Sequence, residues 1–146
     1  MMQGPQHLPE FARVNAERES HNESSDCSVV ALSIAVGIPY DVAHDILAKA
    51  GRRSRHGFQM TAWLADQARL GITCCGYKFT QTSCGKINYR TAGYTYPTVA
   101  KVHRDFPKGR FMVSVSGHIF AMIDGVILDY NGPRRQVKKL TLVERA

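Results

Sequence analysis

Cys27, His118, Asp129 and Asn131 are the residues of this chain whose types and order suit nucleophilic chemistry. A thiolate, not a thiol, attacks carbonyl carbon, so a catalytic cysteine needs surroundings that lower its pKa and a base that takes its proton. Cys27 lies among Ser24, Ser25, Asp26 and Ser28, directly ahead of an apolar run. That places it at or beside a helix start, where the macrodipole favours the thiolate. A histidine beside a carboxylate or amide is an oriented base, and His118 has both types close behind it in Asp129 and Asn131. The competing fate of Cys27 is that of a small buried hydrophobe, the commonest for a free cysteine. Its polar flanks favour the nucleophile.

The elements that must position these residues follow from periodicity. Val29, Val30, Leu32, Ile34, Ala35 and Val36 form an almost wholly apolar segment ending at Gly37, with Ser24, Ser25 and Asp26 as candidate N-caps. This predicts a buried helix. Pro39-Tyr40-Asp41 opens a second helix, in which Val42, Ile46, Leu47 and Ala50 recur at helical spacing before Gly51 and the basic turn Arg52-Arg53-Ser54-Arg55-His56-Gly57. A third helix, about Gln59 to Leu70, carries Met60, Trp63, Leu64 and Ala68 on one side and stops at Gly71. Beyond it, Ile72 to Phe79 reads as a strand, Gln81 to Tyr96 as a loop, and Thr98 to Phe106 as a helix that buries Val99, Val102 and Phe106. Helices first and strands later predict an α+β fold, with helices packed on an antiparallel sheet. Residues 1–24 read as a polar arm and residues 25–146 as one domain.

The last third holds the clearest geometry. Arg110 to Val115 is strand-like, Ser116-Gly117 interrupts it, and His118–Ile123 and Val126–Tyr130 flank Asp124-Gly125, a two-residue hairpin signal. With that turn, His118, Phe120 and Met122 share a face with Ile127, Asp129 and Asn131. Ile119, Ala121, Ile123, Val126, Leu128 and Tyr130 share the other, which should be core. His118 then lies opposite Asn131, at a Cβ separation of about 5 Å, and diagonal to Asp129 at about 7 Å.

A cysteine heading an apolar helix, followed by a histidine that begins one strand and an acid or amide ending the next, resembles the papain-like cysteine peptidases. Asp26-Cys27-Ser28-Val29-Val30-Ala31-Leu32 is similar to the nucleophile helix of papain-like and peptidase C39-like domains. The stretch Ser116 to Asp129 resembles their histidine and acid strands, and also small papain-like proteins of bacteriophage genomes. The resemblance implies a minimal papain-like fold, with Cys27 as nucleophile, His118 as general base and acid, and Asp129 as the group that orients His118. Asn131 is the alternate third member. The family places an amide shortly before the cysteine to hold the oxyanion; here Asn22 is the nearest. The implied reaction is hydrolysis of a peptide, isopeptide or other amide through an acyl-enzyme, with no metal or cofactor. The alternative is a catalytically weak or inert papain-like binding protein of phage type that captures or inhibits a host factor, an acidic host protein being one such partner.

Composition sets the remaining bounds. The 146 residues carry 19 Lys and Arg against 12 Asp and Glu, a net charge of +7, which suits solubility or an acidic partner. The basic residues gather at Arg52, Arg53 and Arg55 and again at Arg134, Arg135, Lys138 and Lys139, so they are expected at the rim of a site. No nucleic-acid motif accompanies them, which makes nucleic acid the lesser partner. No apolar stretch approaches the ~20 residues of a membrane span, and the start of the chain lacks the pattern of a secretory signal, so a cytoplasmic protein is expected, in the host if phage-encoded. Cys27, Cys74, Cys75 and Cys84 are then free thiols by default, without the spacing of a zinc site.

Overall fold

The computed structural model describes residues 26–53, 58–83, 86–88, 93–128, 132 and 134–146. Three helices come first: α1 (Cys27–Val36), α2 (Tyr40–Lys49) and α3 (Met60–Leu70). Then follow β1 (Tyr77–Ser83), β2 (Lys86–Asn88), β3 (Gly93–Thr95), α4 (Val99–Asp105), β4 (Arg110–Val115), β5 (His118–Ile123), β6 (Val126–Leu128) and β7 (Val137–Arg145). Five strands form one antiparallel sheet in the order β1-β7-β4-β5-β6, and β2 pairs with β3 apart from it. The architecture is mixed helix and antiparallel sheet, as the order of periodicities predicts. No single helix among the described residues is long and apolar enough to cross a membrane.

Every residue of α1 after Cys27 is buried. A helix apolar on all sides must be enclosed on all sides, and α1 packs on β5 and β4 while α2 covers it from outside. Its far end is fixed by several bonds. Gly37 takes the left-handed conformation at φ 78°, and the N–H groups of Gly37 and Ile38 both return to the Ser33 carbonyl, at 2.9 and 3.0 Å. Arg110, at the start of β4, donates through Nη1 to the carbonyls of Ile34 and Ala35 at 3.3 and 3.2 Å. A cation on the last carbonyls complements the helix dipole.

The hairpin register is the expected one: Ile123 pairs with Val126, Met122 with Ile127 and Ala121 with Leu128. Asp124 and Gly125 both hold positive φ, 47° and 80°, as a two-residue turn of primed type requires. The turn is hooked to its surroundings. The Asp124 N–H reaches the Gly109 carbonyl and Asp124 Oδ1 accepts the Gly109 N–H, each at 2.9 Å, while His103 Nε2 donates to the Gly125 carbonyl at 2.7 Å.

Ile119, Ala121 and Leu128 enter the core shared with α1, α2 and α3, as their common face predicts. The opposite face is core as well. Phe120, Met122 and Ile127 are buried there against Val99 and Val102 of α4, together with Phe111, Val113, Val115, Val137 and Leu140. Helices therefore cover both faces of the sheet, and on β5 His118 stands at the end of a row continued by Phe120 and Met122.

Other expectations are corrected. The buried face of α2 is Tyr40, Ala43 and Leu47, whereas Val42 is 41% exposed and Ala50 is exposed. Ile72 and Thr73 precede the sheet. Cys74 and Tyr77 exchange backbone bonds at 2.8 and 3.0 Å around Cys75-Gly76, and that turn delays β1, which then runs into the stretch expected to be loop. Phe106 is 40% exposed, its ring held edge-on to Phe111. The largest omission is β7, which lies between β1 and β4. Its pairing with β4 shifts between Ser114 and Val115, so that Lys139 faces Ser114 but Val137 faces Val115. Lys138 is the extra residue of a bulge, and it breaks the alternation by which a strand is recognised.

Since Arg110 ties β4 to the α1 terminus, Arg110→Ala should lower stability by about 1–3 kcal/mol through loss of its charged hydrogen bonds, with Arg110→Lys recovering part of it. Urea unfolding followed by circular dichroism checks this; a midpoint unchanged in the alanine variant would contradict it.

Candidate active site

The contact of α1 with β5 brings the first residue of the helix beside the first residue of the strand. Cys27 and His118 are both half-buried, and their side chains are hydrogen-bonded to each other. Burial pushes the Cys27 pKa up. The His118 hydrogen bond, the Ile119 backbone, the His118 charge and the Ser28 backbone pull it down, and together they prevail, leaving the thiol below its ordinary value. The sulfur thus receives hydrogen bonds from its own helix and from the facing strand. The His118 ring stacks over Phe120, two residues on along the same face, with centroids 6.2 Å apart and planes 23° apart.

Asp26 does not act as the N-cap expected of it. Its side chain makes no capping bond; only its carbonyl serves α1, accepting the Val30 N–H at 3.0 Å. The carboxylate is fully buried, and its Oδ2 accepts the Tyr40 hydroxyl at 2.8 Å. A carboxylate aimed at the sulfur would oppose thiolate formation, and Asp26 is absent from the groups that shift Cys27.

Cys27 and His118 open onto a cleft of about 510 Å³. Phe58, Gln59, Met60 and Thr61, which lead into α3, form one wall; Val115, Gly117 and Ile119 of the β4–β5 hairpin complete the lining. Phe58 is therefore groove wall, while Tyr40, Phe79 and Phe111 are core and Trp63 is half-buried against Phe79. A polar seam fixes the α3 wall. Thr61 Oγ1 donates to Ser114 Oγ at 3.3 Å, and Gln81 Nε2 donates to the Thr61 carbonyl at 3.2 Å and to Thr141 Oγ1 at 3.4 Å. At the other wall, Arg135 Nη2 donates to the Ser116 carbonyl at 2.6 Å, next to Gly117, whose φ of 78° turns the chain into His118.

The structure thus brings Cys27 and His118 together. Asp129, Asn131, Asn22 and Arg55 lie outside the described residues. Of the expected basic rim, Arg53, Arg134 and Arg135 are exposed, but Arg52 is only 5% exposed and its N–H closes the end of α2 on the Leu47 carbonyl at 2.9 Å. Burial removes Arg52 from any rim. Gln59 and Thr61 were not singled out by the sequence as site residues. A sign existed for Gln59: it occupies an N-cap position, where Ser, Thr, Asp or Asn is favoured, and makes no capping bond there. Among the described residues no group of three or more His, Cys, Asp or Glu is placed to hold a metal ion. No family model, no curated protein and no solved structure matches the chain.

The two other described cysteines offer internal controls. Burial and then its neighbour Cys75 push the Cys74 thiol up to about 12, and Cys75 is exposed. Iodoacetamide should therefore alkylate Cys27 with a midpoint below the ordinary thiol pKa of about 8.5, with Cys74 unreactive. In His118→Ala the groups that lower the Cys27 pKa are reduced while burial remains, so the midpoint of its alkylation should move upward in pH. Mass-spectrometric rates for each cysteine across the pH range measure this; a Cys27 midpoint unmoved by His118→Ala would refute the pairing.

Proposed function

We propose that the chain is a cysteine-dependent amide hydrolase of papain-like architecture, acting on a peptide, isopeptide or related amide through an acyl-enzyme. The observation that carries this reading is the hydrogen bond between Cys27 and His118 at the mouth of a cleft, with the thiol below its ordinary pKa. A depressed thiol pKa at a buried position is what nucleophilic catalysis requires and what a structural cysteine has no need of.

In the reaction proposed, the Cys27 thiolate attacks the carbonyl carbon and the C–O π pair moves onto oxygen. The backbone N–H at Cys27, at the amino end of α1, is a donor for that oxyanion, with Asn22 the amide that the family resemblance assigns beside it. Collapse of the tetrahedral intermediate breaks the C–N bond as His118 protonates the departing amine. Water then attacks the thioester, its proton passes to His118, and the C–S bond breaks to return the thiolate and release the acid. Asp129 follows Leu128 directly at the end of β6 and is assigned to hold the imidazole, with Asn131 as the alternate.

An epoxysuccinyl-peptide probe tests this at neutral pH. It should label Cys27 in the parent chain, not at all in Cys27→Ser, and about 10²–10⁴-fold more slowly in His118→Ala. Asp129→Ala should slow it more than Asn131→Ala. A parent chain whose Cys27 stays unlabelled would sink the enzyme reading and leave a binding protein.

A further inference from the structure

The cleft and its rim differ in charge. Phe58, Gln59, Met60, Thr61, Val115 and Ile119 are all neutral, so among the described residues the lining carries no ionisable side chain besides Cys27 and His118. A charged group entering beside the reacting pair would lose its water with no counter-charge there, which disfavours it.

Basic residues stand on the chain segment that adjoins the cleft-lining end of β4. Arg135 is bonded to the Ser116 carbonyl at 2.6 Å, one residue from the cleft-lining Gly117. Lys138 is the bulged residue opposite Ser114 and Val115, and Val115 also lines the cleft. Arg134 is exposed beside Arg135. Lys49–Asp45, Arg69–Asp66 and Arg104–Asp105 are ion pairs elsewhere on the molecule, and among the described residues no carboxylate pairs with Arg134, Arg135 or Lys138. Lys138 is instead held by neutral groups, with Nζ 3.9 Å from the centre of the Tyr96 ring and 3.3 Å from Gln136 Oε1. Such anchoring fixes the position of a charge without cancelling it.

We propose that Arg134, Arg135 and Lys138 form a recognition rim that selects polypeptides with acidic residues flanking a neutral residue at the amide that Cys27 attacks. The inference rests on the acyl-transfer reading and adds the substrate class. The observations favour an acidic polypeptide over nucleic acid on two grounds. Lys138 covers a face of Tyr96 on which a base would stack. Arg52, from the other basic stretch, is buried and extends no phosphate track.

The test uses the full chain and three peptidyl vinyl sulfones that share a leucine at the electrophile and differ in a flank of three Glu, three Gln or three Lys. The rate of Cys27 modification is measured at about 20 mM and about 300 mM NaCl, since screening separates rim attraction from cleft fit. The Glu probe should react about tenfold faster than the Lys probe at low salt, the two converging at high salt, in the manner of electrostatically steered association. Arg134→Glu with Lys138→Glu should reverse the order, and an iodoacetamide rate at Cys27 equal to that of the parent certifies that the variant is folded. If the variant does not fold, the order and salt dependence of the probes on the parent chain still decide. Equal rates for the Glu and Lys probes, with His118-dependent iodoacetamide reactivity intact, would overturn the rim alone. Loss of that reactivity would overturn the acyl-transfer reading and the rim together. A single-stranded oligonucleotide that blocks labelling better than a polyglutamate of equal charge would overturn the acidic polypeptide in favour of nucleic acid.

Discussion

The enclosure of α1 is the constraint on which the rest of the molecule depends. A helix whose residues from Ser28 to Val36 are all buried has no face to give to water, so it can exist only wedged between the sheet and α2. Cys27, at its head, is the one residue of the helix left half-buried. The wedge thereby determines both where the thiol sits and what faces it, because the strand that packs most closely on α1 begins with His118. Arg110 and the Gly37 turn hold the other end, so the helix is fixed from its carboxyl terminus and presents its amino terminus to the cleft.

Much of this placement is legible in the sequence, and for identifiable reasons. The run from Val29 to Val36 is too apolar for anything but an interior element, and Asp124-Gly125 fixes a hairpin register that β5–β6 follows at Ile123–Val126, Met122–Ile127 and Ala121–Leu128. What escapes reading depends on distant partners. The second apolar face of the hairpin becomes core only because α4 returns to cover it, and no local pattern announces that. β7 is hidden by its own bulge: Lys138 and Lys139 read as a solvated basic pair, although Val137 is fully buried and Leu140 is 3% exposed. Arg52 misleads in the same way, since membership of a basic turn says nothing about which of its side chains the fold encloses.

The site illustrates the same division. Cys27 and His118 are legible as a pair because helix start, strand start and register each follow from short patterns. The opposite wall is not, because Gln59 and Thr61 reach the cleft through a seam of Thr61, Ser114, Gln81 and Thr141, drawn from α3, β4, β1 and β7. A seam of neutral hydrogen bonds suits this position. It holds one wall of the cleft in place without adding a charge beside the Cys27 thiol.

Charge is in fact sorted around the thiol with some economy. Burial alone would raise its pKa, and the one acidic neighbour in sequence, Asp26, would raise it further if it faced the sulfur. The fold meets the second problem by turning that carboxylate to the Tyr40 hydroxyl, on the helix that encloses α1. It meets the first with one cation-capable ring and two backbone donors from separate elements, Ile119 on β5 and Ser28 on α1. His118 and Ile119 both depend on the same α1–β5 contact, whereas Ser28 moves with Cys27. A displacement of α1 that moved Cys27 from His118 would also separate it from Ile119, leaving a buried thiol with its pKa raised rather than lowered. Reactivity at Cys27 is therefore a direct reporter of that packing, and it should be lost in destabilised variants before the secondary structure is.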